Sequence, residues 1–292
     1  MTRTEVFVPA PAPTRIGQRV FAWGTRTFVM GIVNVTPDSF SGDGLLAIGA
    51  ASSTSDAAVA RARRMVAEGA DILDVGGEST RPGHHPVSVE EEIARVVPVI
   101  AAIHATLPEV PISVDTSKAP VAAAALDAGA ALLNDVWGVG ADDSMARLCA
   151  ARAVPMVVMH NRAEAVYSSV IEEILADLRA ALDRARALGV PAENLIVDPG
   201  FGFGKTPEHN VAVLRELARL RELGRPVLLG TSRKSTIGRI LGGAPVEDRL
   251  EGTLATTAIG IGAGVDVIRV HDVLANVRTA RVADAVFRGG NL

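Results

Sequence analysis

Residues 59–75 read VARARRMVAEGADILDV, and this stretch contains the unit on which the fold is built. Its first part, 59–67, spaces apolar residues as one face of a helix requires. Gly69 follows at the position where the end of a helix favours glycine. The run 71–75 is short and apolar, as a buried strand is. Helix, glycine and strand in this order are what a parallel α/β sheet needs between neighbouring strands.

The same alternation runs through the whole chain, and Gly129 and Gly264 precede apolar runs in the same way as Gly69. The predicted strands cover residues 28–35, 71–75, 112–115, 131–134, 155–159, 195–198, 226–230 and 265–270. The predicted helices cover residues 59–67, 93–103, 121–128, 171–188, 211–223, 254–261 and 273–286. Eight strands that alternate with helices predict an α/β fold, the (β/α)8 TIM barrel. A doubly wound open sheet is the alternative, and it is disfavoured because no GxGxxG follows the first strand.

The N-terminal region is predicted to lie outside this alternation. Residues 15–27 predict a β-hairpin that turns at Gly24 and closes the bottom of the barrel. Residues 1–14 contain Pro9, Pro11 and Pro13, and we expect a flexible N-terminal segment there. We expect residues 15–292 to form a single barrel domain, since such barrels commonly take about 250 residues.

The composition is that of a chain that can bury a large core. Of the 292 residues, 48% are hydrophobic and 21% charged, which excludes an intrinsically disordered chain. Lys+Arg 29 against Asp+Glu 33 gives a net charge of −4, and binding to a nucleic-acid backbone favours a basic excess. The single cysteine, Cys149, allows no intramolecular disulfide and favours the reducing cytoplasm. The N-terminal residues lack the pattern of a signal peptide and no apolar run reaches about 18 residues, so we expect no export and no membrane span. Because the net charge is negative, we also expect no nucleic-acid partner.

Polar side chains follow every predicted strand, at the end of the barrel where active sites of this fold lie. In chain order they are Asn34; Glu78, Thr80 and Arg81; Asp115; Asn134 and Asp135; His160; Asp198; Ser232, Arg233 and Lys234; and Arg269 with His271. Any one of them could be only a helix N-cap. Polar residues at all the strand ends favour a shared site.

Aromatic side chains point to a flat ligand at the same end of the barrel. Of only ten aromatic residues, four lie in these loops: Phe40, Trp137, Phe201 and Phe203. Rings at the mouth of a barrel favour flat substrates held by stacking, and packing in the core is the alternative for Trp137 and Phe203.

A cationic loop points to an anionic substrate. Residues 230–235, GTSRKS, open a helix after the seventh strand, where barrels often bind phosphate. Arg233 and Lys234 in this loop would form an electropositive rim together with Arg81, Arg269 and His271. The sequence therefore predicts a phosphorylated or carboxylate substrate.

These motifs, in order from residue 29 to residue 271, resemble the dihydropteroate synthase family. The two most specific blocks are 30–40, MGIVNVTPDSF, and 69–83, GADILDVGGESTRPG. The remaining blocks are 115–116 DT, 134–135 ND, 198–205 DPGFGFGK, 232–235 SRKS and 269–272 RVHD. The chain departs from the family pattern after Phe40, where 41–44 read SGDG and not SDGG, and at His160, which is followed by Asn161 and not by methionine. We expect a structural role for His160.

The resemblance implies a reaction and a site. The reaction joins 6-hydroxymethyl-7,8-dihydropterin diphosphate to 4-aminobenzoate and releases diphosphate, with Mg2+ as cofactor and a homodimer as the common assembly. The resemblance assigns to the pterin ring Asp115, Asn134, Asp198 and Lys234. It assigns to diphosphate and metal Asn34, Arg269 and His271, with Asn34 as the metal ligand. It assigns to 4-aminobenzoate and the loops around it Thr80, Arg81, Pro82, Phe203 and Ser235. The residues expected to act in catalysis are Asp115, Lys234, Arg269, His271 and Arg81.

Two other functions are weighed against this one. The pterin-binding barrel of a corrinoid-dependent methyltransferase should lack the 79–82 loop STRP and the SRK anion site, and this chain has both. A barrel kept only as a binding or scaffold module should have lost Asp115, Lys234 or Arg269, and all three are present. Apolar positions on the last helices, Ile259, Ile261, Val273 and Val286, are compatible either with a dimer interface or with packing on the barrel.

Overall fold

The computed structural model describes residues 10–35, 54–78, 87–137 and 142–289. Its strands are β1 Thr14–Ile16, β2 Arg19–Phe21, β3 Phe28–Asn34, β4 Ile72–Gly76, β5 Ile112–Asp115, β6 Leu132–Asp135, β7 Met156–Met159, β8 Leu195–Asp198, β9 Leu228–Leu229 and β10 Val267–Val270. Its α-helices are α1 Thr54–Glu68, α2 Val89–Thr106, α3 Ala119–Asp127, α4 Ser144–Arg152, α5 Val170–Ala187, α6 Pro207–Arg215, α7 Ser235–Ile240, α8 Leu250–Gly262 and α9 Val273–Phe287. Short 3-10 turns cover Ala192–Asn194, Leu217–Leu223 and Val246–Asp248.

Strands β3 to β10 form one parallel sheet that closes into a barrel. Their order is β8-β7-β6-β5-β4-β3-β10-β9. A parallel bridge between Val197 and Val227 joins β8 to the chain just before β9 and closes the ring. The N–H of Val197 donates to the carbonyl of Pro226 at 2.9 Å across the same seam. The predicted (β/α)8 barrel is thereby confirmed.

The helices surround the sheet, and the main apolar core lies between them and the strands. The glycines predicted at helix ends have the left-handed conformation that L side chains rarely adopt: φ is 106° at Gly69, 114° at Gly129 and 90° at Gly264. None of the helices in the described residues combines the length and hydropathy that a membrane-spanning segment needs.

The N-terminal hairpin closes the bottom of the barrel, as the sequence predicts. Its residues Ile16, Phe21 and Trp23 are buried against the apolar residues at the amino ends of the strands, such as Met30 and Ile72. The predicted turn at Gly24 is wrong. Strands β1 and β2 pair from Thr14 with Phe21 to Ile16 with Arg19, so the turn lies at 17–18, where Gly17 has a φ of 57°.

Two helical regions differ from the prediction. Helix α4 was not predicted, because Arg147 and Arg152 lie among its apolar residues, whereas α3, of the same length, is a nearly unbroken alanine-rich run. The predicted helix 211–223 is two elements: α6 ends at Arg215, and the 3-10 turn Leu217–Leu223 follows.

The alternation of side chains along each strand places the polar site directly above the N-terminal hairpin that closes the bottom of the barrel. Successive side chains of a strand point to opposite faces. Ile72 lies in the apolar cluster at the bottom of the barrel, so Asp74, two residues later, also points inward. The registers pair Asp74 with Ser113 and Asp115 with Asn134 on neighbouring strands. Polar side chains therefore form a layer above an apolar floor.

Candidate active site

The centre of this polar layer is Arg269 of β10. Its Nε donates to Oδ2 of Asp74 at 2.5 Å, and its Nη2 donates to Oδ2 of Asp115. Neither carboxylate lies on a strand next to β10, so the guanidinium crosses the interior of the barrel. The amide of Asn134 donates to Oδ2 of Asp74 at 3.1 Å. Side chains from β4, β5, β6 and β10 thus form one connected network.

Two carboxylate oxygens in this network lack hydrogen-bond partners within the part of the chain that the structure describes. They are Oδ1 of Asp74 and Oδ1 of Asp115, and Oγ of Ser113 is also unpartnered. The Asp74 side chain is 0% exposed and that of Asp115 only 9%. Buried acceptors without donors are costly, so they mark a place where a ligand with N–H groups is favoured.

Burial also sets the charge of Asp115. Desolvation raises the pKa of Asp115 to about 7, against the opposing effect of the Arg269 guanidinium. Such a carboxyl group is poised between the acceptor-only and the donor form near neutral pH.

Asp198 and Lys234 form the facing part of the site. Asp198 ends β8 and is 6% exposed, and its Oδ1 accepts from the N–H of Gly200 at 2.7 Å. Burial raises the pKa of Asp198, while the ammonium of Lys234 acts in the opposite direction. Burial lowers the pKa of Lys234 to about 8. Its Nζ donates to the carbonyl of Phe201 and lies 4.3 Å from the centre of the Phe203 ring.

The predicted aromatic residues have different environments. Phe203 is half-buried beside Lys234, as a substrate-facing ring should be. Trp137 is 52% exposed at the mouth of the barrel. Phe201 is 1% exposed and belongs to the apolar core, so the stacking interpretation is wrong for Phe201. Phe40 lies outside the described residues.

The predicted electropositive rim is largely compensated. Arg269 is paired with two carboxylates, and Arg233 is bound by Asp272 through Nε at 2.9 Å and Nη2 at 2.5 Å. Burial, together with the neighbouring Arg269 charge, lowers the pKa of His271 to about 3, so its imidazole is neutral at pH 7. His271 Nδ1 lies 2.9 Å from Oγ of Ser232. His271 can therefore offer a neutral hydrogen bond and not a positive charge.

Some strand-end residues have local structural partners. Asp135 accepts from the N–H of Trp137 at 3.0 Å, which closes a turn. Glu78 is bound by Lys118, whose Nζ also lies 2.6 Å from Glu92 Oε2. These contacts connect the loops after β4 and β5.

The side chain of Asn34, at the end of β3, is a possible ligand for Mg2+. Asn34 is half-buried there and offers a neutral amide oxygen. Within the described ranges, no group of three His, Cys, Asp or Glu side chains could hold a metal ion. Mg2+ usually takes few protein ligands and completes its shell with water and phosphate oxygens. Asn34 fits such a site and would not suit a Zn2+ site.

Several predicted site residues cannot be placed. Thr80, Arg81, Pro82 and the 41–44 segment lie outside the described residues. Ser235 is described and is exposed at the first position of α7.

Two polar residues beside the site were missed by sequence reasoning. Asp74 was overlooked because it lies within an apolar strand and not after it. Its even spacing from Ile72 is the signal that could have identified it as inward-facing. Lys205 was noted only as part of a motif, and its buried ammonium is visible only in the fold.

The chain is similar to known proteins over most of its length. The family model of the pterin binding enzymes matches residues 30–271. A dihydropteroate synthase of Clostridium beijerinckii is 50% identical over 275 residues, which covers 94% of this chain and 99% of the relative. A dihydropteroate synthase of Bacillus subtilis is 48% identical over 267 residues and covers 91% of each chain.

Solved structures agree with these relatives in both sequence and fold. The dihydropteroate synthase of Clostridium difficile, crystallised in the presence of pteroic acid, is 47% identical with a TM-score of 0.86, covering 92% of this chain and 99% of that chain. The dihydropteroate synthase of Xanthomonas albilineans in complex with 7,8-dihydropteroate is 41% identical with a TM-score of 0.84, covering 94% of this chain and 98% of that chain.

Proposed function

Since the chain belongs to the dihydropteroate synthase family of pterin binding enzymes, we propose that it catalyses the family's condensation. It joins 6-hydroxymethyl-7,8-dihydropterin diphosphate to 4-aminobenzoate and releases diphosphate and 7,8-dihydropteroate. It is therefore a transferase of folate biosynthesis.

The observation that carries this proposal is the pair of buried, unpartnered oxygens, Oδ1 of Asp74 and Oδ1 of Asp115, within the described part of the barrel. A pterin has an amino group and ring N–H donors along one edge of a flat ring. Asp198 and Asn134 add further polar groups to the same end of the barrel. A ligand with several coplanar donors satisfies these acceptors, whereas an aliphatic ligand leaves them unpaired.

The chemistry follows from the charges around this pocket. The bond between the pterin methylene carbon and the diphosphate oxygen breaks and leaves positive charge on the pterin. The carboxylates of Asp115 and Asp198 stabilise that charge in a site where burial strengthens electrostatic effects. The aniline nitrogen of 4-aminobenzoate then attacks the methylene carbon and loses a proton. Because this amine is neutral at pH 7, the reaction needs no Ser or Cys nucleophile.

The diphosphate is held at the other side of the site. His271 offers a neutral hydrogen bond there, and Arg269 supplies positive charge. We assign Arg81 of the 79–82 loop, with Thr80 and Pro82, to 4-aminobenzoate. Asn34 would hold Mg2+, which supplies charge neutralisation for the departing diphosphate.

One assay tests the function directly. Purified protein is mixed with Mg2+, the pterin diphosphate and 4-aminobenzoate, and diphosphate release is measured together with the formation of dihydropteroate. We expect both products in equal amounts. Pterin binding without diphosphate release would contradict the proposal and indicate a binding module. Replacing Mg2+ by EDTA should abolish turnover if Asn34 serves the metal.

The assembly and the compartment are further parts of this proposal. Exposed apolar side chains lie on the adjacent helices α8 and α9: Ile259, Leu274, Val282, Val286 and Phe287. Ile261 and Val273 instead pack on the barrel. We infer that the exposed face pairs with a second copy of the chain in a homodimer. Light scattering tests this inference by comparing the molecular mass of the wild-type protein in solution with that of the variant Val286→Asp. We assign the enzyme to the cytoplasm, which suits its single, buried thiol at Cys149.

A further inference from the structure

The half-buried side chain of Lys205, whose pKa is lowered by burial to about 7, lies behind the substrate-facing loop. Lys205 Nζ is 2.9 Å from His160 Nδ1, 3.1 Å from the Gly200 carbonyl oxygen and 3.0 Å from the Phe203 carbonyl oxygen. The His160 carbonyl oxygen lies farther away, at 3.5 Å. An ammonium group has three N–H donors, and the three nearer acceptors match them. No carboxylate lies within ion-pair distance of Lys205 in the described residues, so its close partners are neutral acceptors.

The histidine in this cluster has a defined tautomer. Its Nε2 lies 3.1 Å from Oδ2 of Asp177, which can only accept, so Nε2 carries the proton. Nδ1 is then free to accept from Lys205. Burial, followed by the Lys205 charge, lowers the pKa of His160 to about 4, which keeps the ring neutral at pH 7. Lys205 therefore donates to His160, and His160 donates to Asp177, in one chain of hydrogen bonds.

This chain ends on the turn that carries Phe203. The turn is closed by the N–H of Phe203, which donates to the Gly200 carbonyl at 3.0 Å. Lys205 binds the carbonyls of both residues. On the other side, Lys234 donates to the Phe201 carbonyl and lies over the Phe203 ring. Lys205 and Lys234 thus bind carbonyls of the same turn, and the charge of Lys234 acts on Asp198 more strongly than that of Lys205.

We propose that Lys205 is a positioning residue, whose ammonium group holds the 200–203 turn so that the Phe203 ring faces 4-aminobenzoate beside Lys234. This inference rests on the proposed function. Asp198 precedes the turn, and its backbone is held separately, because its carbonyl accepts from the N–H of His160 at 2.9 Å and Met159 pairs with it in the sheet. Its side chain is bound to the turn through one bond, from the N–H of Gly200 at 2.7 Å. Loss of the Lys205 ammonium should therefore affect the 4-aminobenzoate side of the site more than the pterin side.

The test is the variant Lys205→Met, which keeps an apolar stem and removes the three donors. We expect the KM for 4-aminobenzoate to rise about tenfold or more, while the Kd for the pterin diphosphate, measured by calorimetry, changes less than about threefold. The matched control is Arg225→Met. This variant removes another half-buried cation. Arg225 donates to the backbone carbonyl of Ala192, which lies before β8 and away from the carboxyl ends of the strands. Both substrate constants should stay at the wild-type values in this control.

Three results would overturn the inference: an unchanged KM for 4-aminobenzoate in Lys205→Met, equal losses for both substrates, or the same loss in Arg225→Met. Failure of the wild-type protein to form dihydropteroate would instead contradict the proposed function, and the pterin Kd values would still be measurable.

If Lys205→Met does not fold, a second pair of variants decides the question. His160→Asn places an amide oxygen near the position of Nδ1 and should keep the KM for 4-aminobenzoate near the wild-type value. His160→Leu removes the acceptor and should raise that KM. Equal behaviour of the two variants would contradict the role of the Lys205 bond.

Discussion

At the scale of single residues, Arg269 has two tasks that oppose each other. Its guanidinium neutralises Asp74 and Asp115, and it is also a cation available to an anionic substrate. A buried ion pair contributes little net stability, but removing one partner leaves an uncompensated charge behind. Arg269 therefore differs from Lys234, whose ammonium donates to a carbonyl and forms no short ion pair in the described residues.

We expect Arg269→Ala to lower both turnover and stability. The variant leaves the carboxylates of Asp74 and Asp115 buried without their cation, which should cost about 3 kcal/mol in the free energy of unfolding. Lys234→Ala should lower turnover with a much smaller change in the urea midpoint. Equal midpoints for the two variants would contradict this difference.

Asp198→Asn should weaken pterin binding and leave diphosphate binding intact. One oxygen of Asp198 accepts from the Gly200 N–H, so the amide must place its NH2 at the other oxygen, toward the pocket. There it faces ligand donors, and losing one bond while gaining a clash should cost about 3 kcal/mol, or roughly a hundredfold in Kd. Calorimetry with a pterin analogue and with diphosphate measures both. A pterin Kd within threefold of wild type would mean that Asp198 only caps the turn.

At the scale of elements, the loop after β8 is fixed by its backbone. Gly200 has a φ of 67°, and a Cβ at this position would lie 1.8 Å from the carbonyl oxygen of His160. The backbone at Gly200 therefore lies close against the neighbouring loop after β7. Any side chain here must displace the turn that presents Phe203.

Two glycine substitutions separate this clash from backbone strain. Gly224→Ala has a similar φ of 62° but no atom within 4 Å of the new Cβ, so only strain of about 1 kcal/mol is expected. Gly200→Ala adds the clash with His160 and should lower the free energy of unfolding by several times as much. Urea denaturation of both variants measures the difference. Similar midpoints would show that the loop moves aside without cost.

At the scale of the whole molecule, burial of titratable groups makes the stability of the fold depend on pH. The pKa of His160 is lowered to about 4 and that of His271 to about 3. Between about pH 6.5 and 4 the unfolded chain binds protons at these positions that the folded chain does not. Stability contributed by the neutral rings is therefore lost as the pH falls. Asp115 acts in the opposite direction, because its folded-state pKa of about 7 lies above its unfolded value.

Asp198 and Asp266 act in the same direction as Asp115, because burial raises the pKa of both carboxyl groups. The prediction is therefore a difference between variants, measured as the change in urea midpoint between pH 6.5 and 4.5. His160→Asn removes a group that loses stability on acidification, so its midpoint should fall less, or rise more, than that of the wild-type chain. Asp115→Asn removes an opposing group, so its midpoint should fall more, or rise less. Equal pH dependence in the wild-type chain and both variants would contradict the assignment of a neutral, buried His160.

The sequence by itself determined the barrel and most of the residues at its mouth. Eight apolar runs alternate with helical ones, and this period allows only a few folds, because strand and helix each bury one kind of pattern. Residues that follow the strands, such as Asp115, Asp198 and Arg269, could then be assigned to one end. No distance was needed to predict that these side chains converge, because parallel strands bring their carboxyl ends together at one end of the barrel.

Only the tertiary structure decided which charges meet. Arg269 and Asp74 are far apart in the chain and contact each other across the barrel, which no local pattern encodes. The neutral state of His271 likewise depends on burial among groups that are distant in the sequence. The hydrogen bond between Lys205 and His160 also joins residues from two different loops. The turn at Gly17 was decided by packing of Ile16 and Phe21 against the barrel floor and not by the nearest glycine signal. Local sequence fixes backbone preference, whereas desolvation and long-range pairing exist only once the chain has closed.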